Sequence, residues 1–158
     1  MNRVFVLSIV LVWVVGVSAQ APKEAPPPRY GIEANLRDYP QETPKEALAS
    51  VLRAIERGRI NFLLAHLADP AFVDNRVKVV YGGDFEELVR ETTAKLADNP
   101  NAAKELQRFL KEGEWEGGES SASVKLKDVK DRQVFFRKIG PRWYLENRQK
   151  PEPAKTEP

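Results

Sequence analysis

The sequence predicts an α+β fold, a single domain in which N-terminal helices pack on one face of a bent antiparallel sheet. Apolar residues recur at helical spacing from Leu48 to Leu110, then alternate with polar ones from Ala122 onward. Helices first and a strand meander second is the order of α+β domains. Proline usage bounds the folded part: of 12 prolines, six fall in residues 20–44 and three in 150–158. Both ends therefore read as non-globular, and residues 43–149 form the folded body.

Residues 1–19 read as an export signal. Arg3 supplies the positive start, residues 4–17 are almost all apolar, and Val17-Ser18-Ala19 offers a cleavage site after Ala19. The apolar run falls short of the roughly 20 residues of a membrane span. No stable span is expected after cleavage, an uncleaved N-terminal anchor being the alternative, and the chain is assigned to the periplasm or the extracellular space. Residues 20–42, with Pro26-Pro27-Pro28, form an extended linker, and residues 150–158 a disordered tail.

In the body, Thr43-Pro44-Lys45-Glu46 predicts a capped helix start, with Leu48, Val51, Leu52 and Ile55 as its buried stripe and Gly58 as its end. Ile60, Leu63, Leu64 and Leu67 mark a second helix stopping at Asp69-Pro70. Residues 72–81 hold Val77, Val79 and Val80 and read as a strand. After Gly82-Gly83, Asp84 caps a third helix to about Ala97, and Leu106, Phe109 and Leu110 mark a fourth ending near Gly113.

Period two then takes over. Val124 and Leu126, Val134 and Phe136, and Trp143 and Leu145 form the apolar face of three strands. A turn at Gly140-Pro141 pairs Phe136 with Leu145, Lys138 with Trp143, and Arg137 with Tyr144. Keeping Val124 and Leu126 on the apolar face puts the preceding loop at residues 128–132. The opposite face carries Lys125, Lys127, Phe135, Arg137, Tyr144, Glu146 and Arg148.

The run Ala54-Ile55-Glu56-Arg57-Gly58-Arg59-Ile60-Asn61-Phe62-Leu63-Leu64, leading to Leu67-Ala68-Asp69, resembles the opening of the nuclear transport factor two-like, or cystatin-like cone, superfamily. The ending Lys138-Ile139-Gly140-Pro141-Arg142-Trp143-Tyr144-Leu145 is similar to its last strand. The middle, residues 70–119, departs from that pattern by being more helical. The resemblance implies a curved, cone-like sheet wrapped round helices, a pocket inside it, and a homodimer formed through the sheet. It implies no single function, because the superfamily holds isomerases, dehydratases, hydrolases, transport adaptors and scaffolds.

The chemistry available is narrow. Zero Cys and one His exclude disulfides, thiolate nucleophiles, iron–sulfur clusters and paired-His metal sites. There is no phosphate-binding or dinucleotide glycine loop and no Gly-x-Ser-x-Gly, so no cofactor and no catalytic residue is assigned. Isomerase-like relatives would use an Asp opposite a Tyr, dehydratase-like ones a His with Asp and Tyr. Tyr81, Asp38, Asp74, Asp84 and His66 supply such groups, but none sits in a matching motif. The helical angle of His66 places it opposite the apolar stripe, on the surface. Tyr81, Trp115, Phe136 and Trp143 are the pocket candidates, ligands for a small apolar molecule.

With 25 basic and 23 acidic residues, the near-balance gives no reason to expect nucleic acid. The balance is uneven along the chain: residues 84–119 hold 10 acidic against 5 basic, and residues 124–150 hold 9 basic against 3 acidic. Lys125, Phe135, Arg137, Tyr144 and Arg148 thus form a basic, ring-bearing face that is a wet sheet surface, a dimer interface or a polyanion site. The expected function is a non-catalytic binding or interaction module. A pocket isomerase or dehydratase, or a polyanion-binding surface protein, is the alternative.

Overall fold

A computed structural model describes residues 25–148, so the export signal and the tail lie outside the described residues. The fold is α+β, five helices followed by a four-stranded antiparallel sheet. Helix α1 (Pro44–Glu56) starts as its sequence dictates. The Thr43 hydroxyl accepts from the Glu46 amide at 3.1 Å, the Glu46 carboxylate accepts from the Thr43 amide at 3.0 Å, and Pro44 occupies the first turn. Gly58 takes φ +64° just beyond the helix end. Helix α2 (Ile60–Phe62) runs on into a π-helical turn (Leu63–Leu67), whose wider ring is closed by the Ala68 amide donating to Leu63 O at 2.9 Å.

The strand expected over residues 72–81 is instead helix α3 (Pro70–Val80). Asp69 is as much a start as a stop: its carboxylate accepts from the Ala71 amide at 2.9 Å, and Pro70 needs no donor there. The buried residues Val73 and Val77 stand four apart, which is helical spacing, whereas Val79 and Val80 are exposed. Helix α4 (Phe85–Asp98) is capped by Asp84, and α5 (Asn101–Glu112) ends at Gly113.

Strand β1 (Glu114–Gly117) is an additional edge strand, pairing Trp115 with Val124. Gly117 permits it, since a Cβ there would lie 2.7 Å from Ala122 Cα. Strands β2 (Ser121–Leu126), β3 (Val129–Ile139) and β4 (Arg142–Glu146) complete the order β1-β2-β3-β4. The β3–β4 register is the expected one at all three pairs. The β2–β3 connection differs. The chain turns at Lys127-Asp128, Leu126 pairs with Val129 and Lys125 with Gln133, so the surplus residues bulge out within β3 and the apolar face is still kept.

Two cores lie on either side of α1. Ala47 and Leu48 join Phe109 of α5 and Ala122, Val124, Leu126, Phe136 and Trp143 of the sheet. Val51 and Ala54 join the second helix, α3 and the start of α4. The segment read as a linker contributes as well: Tyr39 is 2% exposed and Gln41 3%, so the folded body begins before residue 43. Gln41 Nε2 donates to His66 O and Trp143 O, and Gln41 O accepts from the Trp143 amide at 2.9 Å. Beside it the Asp69 amide donates to Leu145 O at 2.9 Å. The free edge of β4 is thereby covered.

Candidate functional site

A recess of about 540 Å³ opens where the second helix, α3 and α4 meet the end of the sheet. Its floor is apolar, made by Leu63, Leu64, Leu88, Leu106 and Leu145, with Phe72 in the wall. Leu63 and Leu64 come from the π-helical turn. Leu88, Glu91, Thr92 and Lys95 come from one stripe of α4 at i, i+3, i+4 and i+7, so one helix face supplies both floor and rim. A second recess of about 300 Å³ adjoins it, sharing Phe72, Arg76 and Asn147 and bordered by Val79 and Val80. Those two valines are 70% and 56% exposed, so the groove runs into an apolar surface.

The rim has two polar ends. At the first, the Tyr81 hydroxyl donates to Glu91 Oε2 and the Lys95 ammonium to Glu91 Oε1. The Arg76 guanidinium lies 5.9 Å from the Tyr81 ring centroid. The hydrogen bond to Glu91 pushes the Tyr81 hydroxyl above its usual pKa, while Lys95 and then Tyr81 hold the Glu91 carboxyl below the usual range. At the second end, Arg148 Nε donates to Glu146 at 3.0 Å and its guanidinium stacks 4.4 Å from the Phe135 ring. Arg148 and Phe135 also border a shallow recess of about 150 Å³ on the outer sheet face.

Of the four pocket candidates, Tyr81 alone lines the groove. Phe136, 0% exposed, and Trp143, 5% exposed, are core side chains on the sheet, and Trp115 packs on Phe136 with ring centroids 5.8 Å apart. The interior around Phe136 and Trp143 is filled, and the open space lies where the second helix, α3 and α4 meet the end of the sheet, with Val134 and Leu145 of the same sheet face in its lining. The basic face is internally neutralised. Lys125 pairs with Glu116, Lys127 with Glu114 at 3.2 Å, Arg137 with Asp69 at 3.1 Å and Arg148 with Glu146 at 3.0 Å. Tyr144 stands opposite Arg137 and is half-buried.

The remaining acid and imidazole candidates are spent on structure. Asp38 is held by Asn35 in a turn, Asp84 caps α4, and Asp74 accepts from Arg29 at 2.5 Å and from the Tyr30 hydroxyl at 2.6 Å. Burial first, and the Asp74 bond second, raise Tyr30 to about 12. His66 is not on the surface but 5% exposed. Its Nε2 donates to Ile32 O at 2.8 Å and its ring lies 5.1 Å from that of Phe62. Two things place it there: the π-helical turn changes the angle per residue, and residues 29–41 cover that side of the helix. Burial lowers its pKa below the usual 6.5.

Phe135 and Arg148, singled out for the outer sheet face, also line the groove, whereas Arg76, Glu91, Lys95 and Glu146 were absent from the sequence candidates. The i, i+3, i+4, i+7 stripe of α4 was the signal that could have found two of them. Among the described residues no group of acids and His could hold a metal ion, and no helix is long and apolar enough to cross a membrane. No known family, no curated protein and no solved structure matches the chain.

Proposed function

We propose that the chain is an exported, non-catalytic binding module, akin to the nuclear transport factor two-like superfamily, that holds a small apolar molecule in the groove between α3, α4 and the sheet end. The observation that carries it is a leucine-floored recess of about 540 Å³ with a few convergent polar groups, which is the usual make-up of a ligand site. The kinship draws on the helical opening and the Gly140-x-x-Trp143 ending already described, and the export on residues 1–19.

The rim chemistry favours holding over turnover. A general base works best with a pKa near the operating pH, whereas Glu91 is held below its usual range by Lys95 and Tyr81, and Tyr81 is raised. His66 is committed to Ile32 on the far side of the helix. The ion-paired sheet face leaves little net charge to recruit a polyanion, and its half-buried Phe135 and Tyr144 suit contact with a second copy at most.

The test uses the neutral dye N-phenyl-1-naphthylamine with the full chain. Saturable fluorescence enhancement is expected, weakened about tenfold or more by Thr92→Trp, which fills the groove from an α4 position outside the core. Circular dichroism checks that the variant keeps its fold. Absence of enhancement, or enhancement untouched by Thr92→Trp, overturns the reading.

A further inference from the structure

We infer that the groove selects a single-chain amphiphile with a carboxylate head, such as a fatty acid, seating the head at Arg76 and Lys95 and the chain on the leucine floor. This rests on the groove being the ligand site. The first argument is charge. The Tyr81 end brings two cations, Arg76 and Lys95, to one carboxylate, Glu91, while the other end balances Arg148 against Glu146. One negative charge brings the site to neutrality. A cationic ligand would add to an uncompensated positive charge, and a neutral one would leave it in place.

The second argument is which cation is available. Lys95 is held by Glu91 and Arg148 by Glu146 in direct ion pairs, whereas among the described residues Arg76 makes no direct ion pair and meets Glu91 only at longer range, beside the Tyr81 hydroxyl. It is half-buried and lies beside the Tyr81 ring, with its planar fork at the groove rim. A guanidinium in that position matches a carboxylate through two parallel hydrogen bonds. The third argument is the path of the tail. Arg76 lines both recesses, the one with Leu63, Leu64 and Leu88 and the adjoining one bordered by the exposed Val79 and Val80. An apolar chain extending from a head at Arg76 therefore meets apolar surface in both recesses.

The experiment displaces the bound naphthylamine dye from the full chain with decanoate, decan-1-ol and decyltrimethylammonium, in the wild type and in Arg76→Gln. Thr92→Trp separates groove binding from adsorption to the apolar residues 4–17. Decanoate is expected to bind about tenfold more tightly than decanol, with the cation weakest. In Arg76→Gln the decanoate advantage should shrink to about twofold, while decanol is unchanged, and salt should erode the advantage in the wild type. Equal displacement by decanoate and decanol, or a preference that survives Arg76→Gln, overturns the inference and leaves the apolar site standing. Displacement by phosphatidylglycerol vesicles but not by decanoate overturns it in favour of a lipid surface. Failure of the dye itself to bind removes the groove reading, and the inference with it.

Discussion

Around Phe136 and Trp143, aromatic and branched side chains close on one another; where the second helix, α3 and α4 meet the end of the sheet, residues of the same kind leave an open groove. Phe136 sits across from Ala122 on one neighbour and Leu145 on the other, with Trp115 against its ring, so a large side chain is matched to a small one and no gap remains. In the groove, Phe72, Leu106 and Leu145 are only half-buried, and the long side chains of Arg76, Glu91 and Lys95 line it with them instead of another apolar layer. Apolar content alone did not decide which side filled. What decided it was whether the facing element offered a complementary apolar surface, as β2 does, or a mixed stripe, as α4 does.

The largest expected effect tests that difference directly. Phe136→Ala should destabilise by about 3–5 kcal/mol, because the ring is wholly enclosed and its loss leaves a cavity. Phe72→Ala should cost less than about 2 kcal/mol, since that ring already borders open space and forfeits fewer contacts. Urea denaturation with an unchanged slope gives both values. Equal losses would mean that the groove wall is packed like the core, and the contrast between the two sides would fail.

The next effect lies where the two regions join. Asp69 is 5% exposed, caps α3, accepts from Arg137 of the outer sheet face and donates its own amide to β4. Asp69→Ala should cost about 2 kcal/mol from the lost cap and the stranded Ala71 amide. Arg137→Ala should cost about 1 kcal/mol or less, because that side chain is half in water and the pair is screened. Thermal melts of both variants check the ranking. Equal losses would make the ion pair, and not the cap, the joint between sheet and groove.

Legibility in the sequence followed the same division. The capping box at Thr43 and the β3–β4 register at Gly140-Pro141 were readable because each depends on residues close in sequence. Helix α3 was missed because Val77, Val79 and Val80 carry strand propensity, while the start signal at Asp69-Pro70 had been used up as a stop. Strand β1 is four residues with one ring to show for it. Tyr39 and Gln41 sit among prolines without periodicity, and their buried side chains are anchored by distant partners, Phe62, His66 and Trp143 among them. Of the groove, Tyr81 was singled out as a pocket residue, and Phe135 and Arg148 only as part of the outer sheet face. Leu88, Glu91, Thr92 and Lys95 share a face, but a stripe half polar looks like a solvated surface until the facing element is known.

The smallest effect concerns the two sides of the π-helical turn, where Leu63 and Leu64 look into the groove and His66 looks toward residues 29–41. The imidazolium form of His66 is disfavoured there. Burial penalises the imidazolium, Arg29 and Arg142 oppose it, and Glu33 and the bond to Ile32 only partly offset them. Its folded pKa is below the unfolded value of 6.5, so the unfolded chain binds the extra proton. Stability is therefore fully present above about pH 6.5 and falls as pH drops toward the folded pKa, with a slope of at most about 1.4 kcal/mol per pH unit. His66→Gln retains an N–H donor for Ile32 O but does not titrate. Urea midpoints measured from pH 7.5 downward should fall for the wild type and stay flatter for the variant, whereas dye binding in the groove should follow pH only as far as the fold does. Identical pH profiles for the two proteins would mean that the proton is taken up without disturbing residues 29–41, and that this side of the helix is as open to water as the groove.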